Sequence, residues 1–167
     1  IRDRGYGMAM MWDIENGYKD GQDHGMFASS KEPNVDWLNP HPSFYHYYYY
    51  NKCFGDTYYE SHSTSKLIRI HTSTFSSGEI GIVAINISSE EEVLSLNIKN
   101  KSTGKIAGVF ELSSDSPSSR KVAINSTVTN KEAGGPQNFL KIKANKIEIR
   151  DNNLKLNLKP YSANYIV

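Results

Sequence analysis

The larger part of the sequence, from Asp56 to Val167, is a succession of short apolar segments separated by polar turn residues. Most of these segments alternate apolar with polar side chains, which is the pattern of strands with one buried face. Such alternation is typical of antiparallel sheets and predicts a β-sandwich. The triplet Asp151-Asn152-Asn153 favours a tight hairpin turn. The predicted strands are Leu67–Thr72, Glu79–Asn86, Val93–Ile98, Ala107–Leu112, Val122–Asn125, Phe139–Ile142, Lys146–Arg150, Leu154–Leu158 and Ala163–Val167.

The first 55 residues follow a different pattern. The apolar run Gly7–Ile14 does not alternate, which favours a strand buried on both faces, as in a parallel sheet. A polar loop punctuated by glycines follows. A helix is predicted from near Pro42 to Gly55, because proline suits a first helical turn and glycine the position after the last. One strand–loop–helix unit has no sheet partner of its own, so we expect residues 1–55 to belong to a parent sheet and residues 56–167 to form the sandwich domain.

The predicted helix contains four consecutive tyrosines, Tyr47–Tyr50. Four consecutive helical residues point in four directions and cannot form one flat platform for a sugar. We therefore interpret the run as packing between the first unit and the sandwich. Helical spacing groups Phe44, Tyr47, Tyr48 and Phe54 on one face and directs Tyr45, Tyr49 and Lys52 elsewhere.

Composition argues against several classes of function. The formal net charge is +1, which gives no electrostatic case for binding nucleic acid or an anionic membrane. The longest apolar run, Ile80–Ile87, is too short to span a bilayer. The chain begins at Ile1, so the lack of a visible signal peptide is uninformative. Cys53 is the only cysteine, which excludes an intrachain disulfide and a thiolate metal cluster. We expect a buried spectator thiol, and nothing in the sequence implies a cofactor.

Several segments resemble one architecture. The ending Leu154–Val167, with its Pro-Tyr-Ser turn, resembles the last strands of the β-sandwich that follows the barrel in many clan-A glycoside hydrolases. The segment Gly81–Ser88 resembles the strand of such domains that runs into Asn-x-Ser, and residues 42–46 and 54–56 resemble the last barrel helix and its exit. Residues 12–27 look most like glycoside hydrolase family 86, the agarases and porphyranases, while families 39, 51 and 30 share the architecture. The resemblance implies a mainly β chain, in which the last strand–loop–helix unit of a (β/α)8 barrel precedes an antiparallel β-sandwich.

Active sites of such barrels lie at the carboxyl ends of the strands, in the loops that follow them. The resemblance places Trp12 beneath the sugar whose bond is cut, since an indole stacks well on a pyranose face; packing in the core or at the barrel rim is the alternative. The same loop has polar groups that could bind sugar hydroxyls, or could shape the loop, face water or hold a cation. These candidate substrate-binding residues are Asp13, Glu15, Asp23 and His24.

Retaining glycosidases need two carboxylates about 5–5.5 Å apart. The resemblance places that pair on the fourth and seventh barrel strands, upstream of Ile1, so Asp13 and Glu15 lie on the wrong strand. We therefore expect no catalytic residue and no metal site in this chain, and no hydrolysis by the chain alone.

The expected function is the C-terminal portion of a polysaccharide-degrading glycoside hydrolase. Its expected partners are a polysaccharide or oligosaccharide and the remainder of the barrel, with no nucleic acid and no membrane. A secreted, periplasmic or cell-surface location follows from the polymeric substrate. Two alternatives remain, a stand-alone carbohydrate-binding or adhesion sandwich and a structural domain without a ligand. The scattered aromatics after residue 56 argue against a stacking platform in the sandwich.

Overall fold

The computed structural model describes residues 13–15, 17–19, 24–128 and 139–167. They group into two compact units that divide within a helix, between Phe44 and Tyr45. Most of the predicted strand Gly7–Ile14 lies outside the described residues, so its parallel pairing stays a prediction. The domain boundary after residue 55 stays a prediction as well.

The described chain is mainly β, as predicted, with antiparallel sheets and one α-helix. No helix of the described part is long and apolar enough to cross a membrane. Phe139–Lys141 form a short 3-10 helix. The helix and strands in chain order are α1 Pro42–Cys53, β1 Thr57–Tyr59, β2 Ile68–Thr74, β3 Ile80–Asn86, β4 Glu92–Asn97, β5 Ile106–Ser113, β6 Ala123–Ile124, β7 Thr127–Val128, β8 Asn145–Glu148, β9 Asn153–Leu158 and β10 Ser162–Ile166.

Two sheets of unequal size make up the second unit. The larger sheet has the order β1-β2-β3-β10-β5-β6-β7, and β8 pairs with another part of β5. The smaller sheet contains only β4 and β9. Alternating side chains of both sheets meet in a shared aliphatic core, which explains the period-two pattern of the sequence. The buried residues of this core are Ile68, Ile82, Ala84, Leu94, Ala107, Val109, Leu154, Leu158 and Ile166.

Asn86 explains the Asn-x-Ser ending of β3. Its side chain is 1% exposed, and its Nδ2 donates to the carbonyl oxygens of Leu158 at 3.2 Å and Lys159 at 3.0 Å. Its Oδ1 accepts a hydrogen bond from the backbone N–H of Ser88 at 2.9 Å. The asparagine therefore ties the end of β3 to the end of β9, and so joins the two sheets.

The turn at Asp151-Asn152 is present, but it does not form the predicted hairpin. Both residues have positive φ, at 50° and 59°, and Arg150 and Asn153 exchange backbone hydrogen bonds of 3.0 and 2.7 Å. Beyond the turn the strands separate, since β8 pairs with β5 and β9 pairs with β4. The tight turn thus connects the two sheets instead of extending one.

The outer face of the larger sheet is covered by α1. The bounds of this helix match the prediction, but the predicted buried face is wrong. Tyr45, Tyr49 and Cys53 are buried, whereas Tyr47 is exposed. The Tyr49 ring lies 4.7 Å from that of Phe110. The spacing i, i+4, i+8 gives one stripe along the helix, and the small Cys53 side chain lets the end of that stripe approach β3.

Burial keeps the ionisable groups beneath α1 neutral. Burial raises the pKa of the Cys53 thiol to about 11, so this thiol is protonated at neutral pH, as expected of a spectator. Burial also raises the pKa of Tyr165 and lowers the pKa of His46. The Tyr165 hydroxyl therefore keeps its proton at neutral pH, and it forms a hydrogen bond of 2.9 Å with His46 Nδ1.

The segment Phe139–Ile142 is not the predicted strand. Its first residues form the 3-10 helix, and Phe139 packs edge-on against Tyr45 and Tyr48, with ring centroids 5.6 and 5.1 Å apart. The apolar residues at 139, 140 and 142 resemble part of an alternating strand, but they pair with none of the described strands, and the Phe139 ring packs against α1 instead. The sequence analysis also missed the short strands β1 and β7.

The close approach of α1 to β3 gives the first testable prediction. A Cβ added at Gly81 would overlap the backbone carbonyl of Cys53 and lie 2.9 Å from Ser73 Oγ. We expect Gly81→Ala to lower the free energy of unfolding by about 3 kcal/mol, because a backbone atom cannot move aside as a side chain does. Urea denaturation measures the change. Gly104→Ala is the matched control, because the nearest atom is 3.8 Å from the added Cβ; equal effects of the two substitutions would contradict the packing.

Candidate functional site

A set of backbone hydrogen bonds organises the loop before α1. Phe27 bridges Glu15 in parallel and Pro40 in antiparallel orientation. The Phe27 N–H donates to the Ile14 carbonyl at 3.0 Å, and the N–H of Leu38 donates to the Ala28 carbonyl at 2.9 Å. The segment around Phe27 therefore holds the two outer segments in register, and side chains from residues far apart in sequence come together.

The indole of Trp37 is presented to solvent by this loop. Trp37 is 54% exposed, and its Nε1–H donates a hydrogen bond to Glu15 Oε1 at 3.1 Å. Leu38, the next residue, has a positive φ of 62°, a conformation that costs energy for a residue with a Cβ and is often found at functional sites. The result is an aromatic face open to water with a carboxylate held at its edge.

A buried pair of ionisable residues lies in the same loop. His41 Nδ1 is 2.7 Å from the Gly25 carbonyl oxygen, and His41 Nε2 is 2.9 Å from Glu32 Oε2. A carbonyl oxygen only accepts, so Nδ1 carries a proton. A second proton must lie between Nε2 and the carboxylate, because two acceptors would repel each other. The side chains of His41 and Glu32 are 11% and 2% exposed, so this pair holds the loop together in a place that water hardly reaches.

The predicted site residues have four different outcomes. Glu15 lies in the loop and holds Trp37. Asp13 is partly buried, and its Oδ1 has no hydrogen-bond partner among the described residues; its backbone carbonyl accepts from the N–H of Met26 at 3.1 Å. His24 is exposed. Trp12 and Asp23 lie outside the described residues, so their roles stay predictions.

Trp37, Glu32 and His41 were missed by the sequence analysis. The signal for Trp37 was its place among Pro, Asn and Asp residues, which are typical of exposed turns, so that a large aromatic residue there needs a reason to be at the surface. Glu32 and His41 had no such signal, because their partnership depends on the way the loop closes.

The chemistry of the loop suits binding. An indole offers an apolar surface that stacks on sugar C–H groups, and the Glu15 carboxylate can accept hydrogen bonds from hydroxyl groups. In the described part of the chain, no three His, Cys, Asp or Glu side chains gather in a way that could hold a metal ion.

Comparison with known proteins gives relatives at the level of structure only. No protein-family model and no curated protein matches the chain. The chain is similar to CelM2, a bifunctional glucanase-xylanase from a metagenome library, with a TM-score of 0.55, 15% identity and coverage of 78% of this chain and 23% of that one. It is also similar to Xyn30A, a glycoside hydrolase family 30 subfamily 8 xylanase from Clostridium acetobutylicum, with a TM-score of 0.57, 16% identity and coverage of 87% and 31%.

A third similar structure is the arabinose-bound α-L-arabinofuranosidase MgGH51, with a TM-score of 0.59, 14% identity and coverage of 85% of this chain and 21% of that one. The chain thus spans between a fifth and a third of the length of these structures. By name they are a glucanase-xylanase, a glycoside hydrolase family 30 xylanase and an α-L-arabinofuranosidase. Likeness at this identity shows a shared fold.

The Glu32–His41 pair gives a prediction about the loop. Glu32→Gln keeps an oxygen or an amide hydrogen for His41 Nε2, so we expect the loop to stay closed. Glu32→Ala leaves the imidazole buried without its partner, which costs about 1–3 kcal/mol and should raise the rate of amide hydrogen exchange across residues 24–41. Exchange measured by NMR or mass spectrometry checks the result, with β10 as an internal reference. Equal exchange in the two variants would show that the pair does not hold the loop.

Proposed function

We propose that this chain is the C-terminal portion of a polysaccharide-degrading glycoside hydrolase, to which it contributes one loop of the substrate cleft and a sandwich domain. The observation that carries the proposal is the exposed Trp37 indole with Glu15 at its edge. Large aromatic side chains are normally buried, and an exposed, hydrogen-bonded indole provides a stable stacking surface for a sugar ring.

The extent of the structural likeness supports a role for both units. The matches to Xyn30A and MgGH51 cover 87% and 85% of this chain. Both shares are larger than the fraction of the chain that residues 45–167 represent. The likeness therefore extends beyond the sandwich into residues that precede Tyr45. This agrees with a sandwich that follows the end of a larger catalytic domain.

The finer form of the proposal is a retaining, agarase-like enzyme of family 86, with families 39, 51 and 30 as the other members of the same architecture. In this form the nucleophile and the acid/base are two carboxylates from barrel strands outside these 167 residues. The partner of this chain is then the remainder of the barrel, and the site of action is outside the cytoplasm, where polymeric glycans are met.

The first prediction of the proposal is a chain that does not hydrolyse. The isolated 167-residue chain should release no reducing sugar from agar, porphyran, xylan or arabinan, because it lacks the catalytic carboxylates. A reducing-sugar assay checks the result. If the chain does hydrolyse one of these polysaccharides and the Glu15→Gln variant does not, catalysis lies in this loop and the proposal is contradicted.

The second prediction concerns binding. Affinity electrophoresis through gels that contain each of these polysaccharides should show retention of the chain by at least one of them. Trp37→Ala should weaken that retention about tenfold, equivalent to about 1.4 kcal/mol, because the stacking face is lost. Glu15→Gln keeps an acceptor for the indole but replaces the charged acceptor for sugar hydroxyls by a neutral one, so its retention should lie between that of the parent and that of Trp37→Ala.

Tyr47→Ala is the matched control for Trp37→Ala, since it removes another exposed aromatic side chain. Its retention should equal that of the parent. If Trp37→Ala is retained as strongly as Tyr47→Ala, or if no polysaccharide retains the parent chain, the proposed role of the loop is wrong.

A further inference from the structure

The sandwich unit contains a cleft of about 560 Å³ at one edge, within the range of small-ligand sites. One wall is the end of β1 and the segment after it, from Tyr59 to His62, and the other wall is the segment from Leu96 to Lys101. The cleft exists because the two sheets differ in size. The smaller sheet ends at β4, whereas the larger sheet continues through β2 to β1, so part of its inner face is left open.

The floor of the cleft is aliphatic and its rim is polar. Ile70 and Ile80 form the floor between the two walls, and together with Leu96 and Ile98 of the second wall they also pack against the core. The lining residues with hydroxyl or amide side chains include Tyr59, Ser61, Thr72 and Asn100, and the hydroxyls of Ser61 and Thr72 bond to each other at 2.8 Å. Hydroxyl and amide groups both donate and accept hydrogen bonds, which matches the hydroxyl groups of a sugar.

The charges on the rim are unequal. Lys99 and Lys101 line one wall, and neither has an ion-pair partner within the described ranges. The opposite wall has Glu60, whose carboxylate lies 3.7 Å from His62 Nε2. Two lysines against one glutamate leave these lining residues with a net charge of +1, which favours a ligand with an anionic group.

We propose that this cleft binds an oligosaccharide that has anionic groups, either the carboxylate of a uronic acid or a sulfate ester. The sugar class rests on the proposed function, whereas the anionic character follows from Lys99 and Lys101. The C–H face of a sugar ring would lie on Ile70 and Ile80, with its hydroxyls toward Tyr59 and its anionic group toward the lysines. This mode needs no aromatic platform.

An added peptide strand is the competing occupant, because β4 has a free edge in the described sheet. The cleft gives such a strand little to pair with. Of β4, only Leu96 and Asn97 line it, and the wall then continues as the segment Ile98–Lys101. Two ladder positions provide few main-chain hydrogen bonds, so the observations favour a short ligand recognised by side chains.

The test is an NMR titration of the ¹⁵N-labelled full chain with four probes. They are a glucuronic-acid-substituted xylo-oligosaccharide, a sulfated agaro-oligosaccharide, an unsubstituted xylo-oligosaccharide and a glutamate-rich hexapeptide. We expect at least one anionic sugar to shift the amide signals of residues 59–62 and 97–101, and to bind at least tenfold more tightly than the unsubstituted sugar. The first two probes distinguish carboxylate from sulfate. Raised salt should weaken the binding.

The decisive variant is Lys99→Ala combined with Lys101→Ala, which should lower the affinity about tenfold or more. Lys146→Ala combined with Lys155→Ala is the matched control, because both residues are exposed on strands outside the cleft, and it should bind as the parent does. The proposal is overturned if no anionic sugar shifts these signals, if the unsubstituted sugar or the peptide binds as tightly, or if the control loses as much affinity as the cleft variant.

The same titration in the Trp37→Ala background separates this proposal from the proposed function. Shifts at residues 59–62 and 97–101 should persist there, since Trp37 does not line the cleft. If those shifts are lost in Trp37→Ala, the anionic sugar binds at the loop and the proposal of a binding cleft is overturned. If no anionic sugar binds at the cleft but Trp37→Ala still weakens retention on polysaccharide gels, the cleft proposal is wrong and the proposed function is unaffected.

Discussion

The second unit depends on one strand that is buried on both faces. Every residue of β10 is buried, and β10 pairs with β3 on one side and β5 on the other. Its Ile166 lies in the aliphatic core between the sheets. On the other face, the Tyr165 ring packs 5.9 Å from Tyr49 of α1. One strand therefore holds together three layers. Only three of its five residues are apolar, since Ser162 and Asn164 are buried as well, and the Ser162 hydroxyl is satisfied by donating to the Lys159 carbonyl oxygen at 2.7 Å.

The local features of the sequence predicted most of the strands. Alternation sufficed for β4 and β9, whose leucines face one side and whose polar residues face water. Proline and glycine sufficed for the bounds of α1. Pairing was harder to predict, because the Asp151-Asn152 turn has the same local geometry whether the next strand stays in its sheet or crosses to the other. Only the fit of β9 onto β4 decides that, and it is a property of the whole core.

The buried face of α1 could not be read from residue types. Tyrosines occupy both the buried and the exposed positions, so hydrophobicity hardly distinguishes one side of the helix from the other. Its orientation follows from shape. Cys53 is small, Gly81 has no side chain, and Gly55 donates its N–H to Ser73 Oγ at 2.8 Å, so the end of the helix can approach β3 closely. Of the candidate site, Glu15 was among the predicted residues but Trp37 was not, since the two meet through a hydrogen bond across 22 positions of sequence.

Buried ionisable groups are arranged differently in the two units. They stand as neutral groups in the second unit and as a hydrogen-bonded glutamate–histidine pair in the first. Beneath α1, burial keeps Cys53, Tyr165 and His46 uncharged, which is the arrangement that a packed structural layer needs. The loop before α1 instead buries a glutamate against a histidine, with a proton held between them. A buried pair of this kind is seldom more stabilising than apolar packing would be, because both groups lose their hydration. What it provides is a fixed geometry for the loop on which the Trp37 indole is exposed.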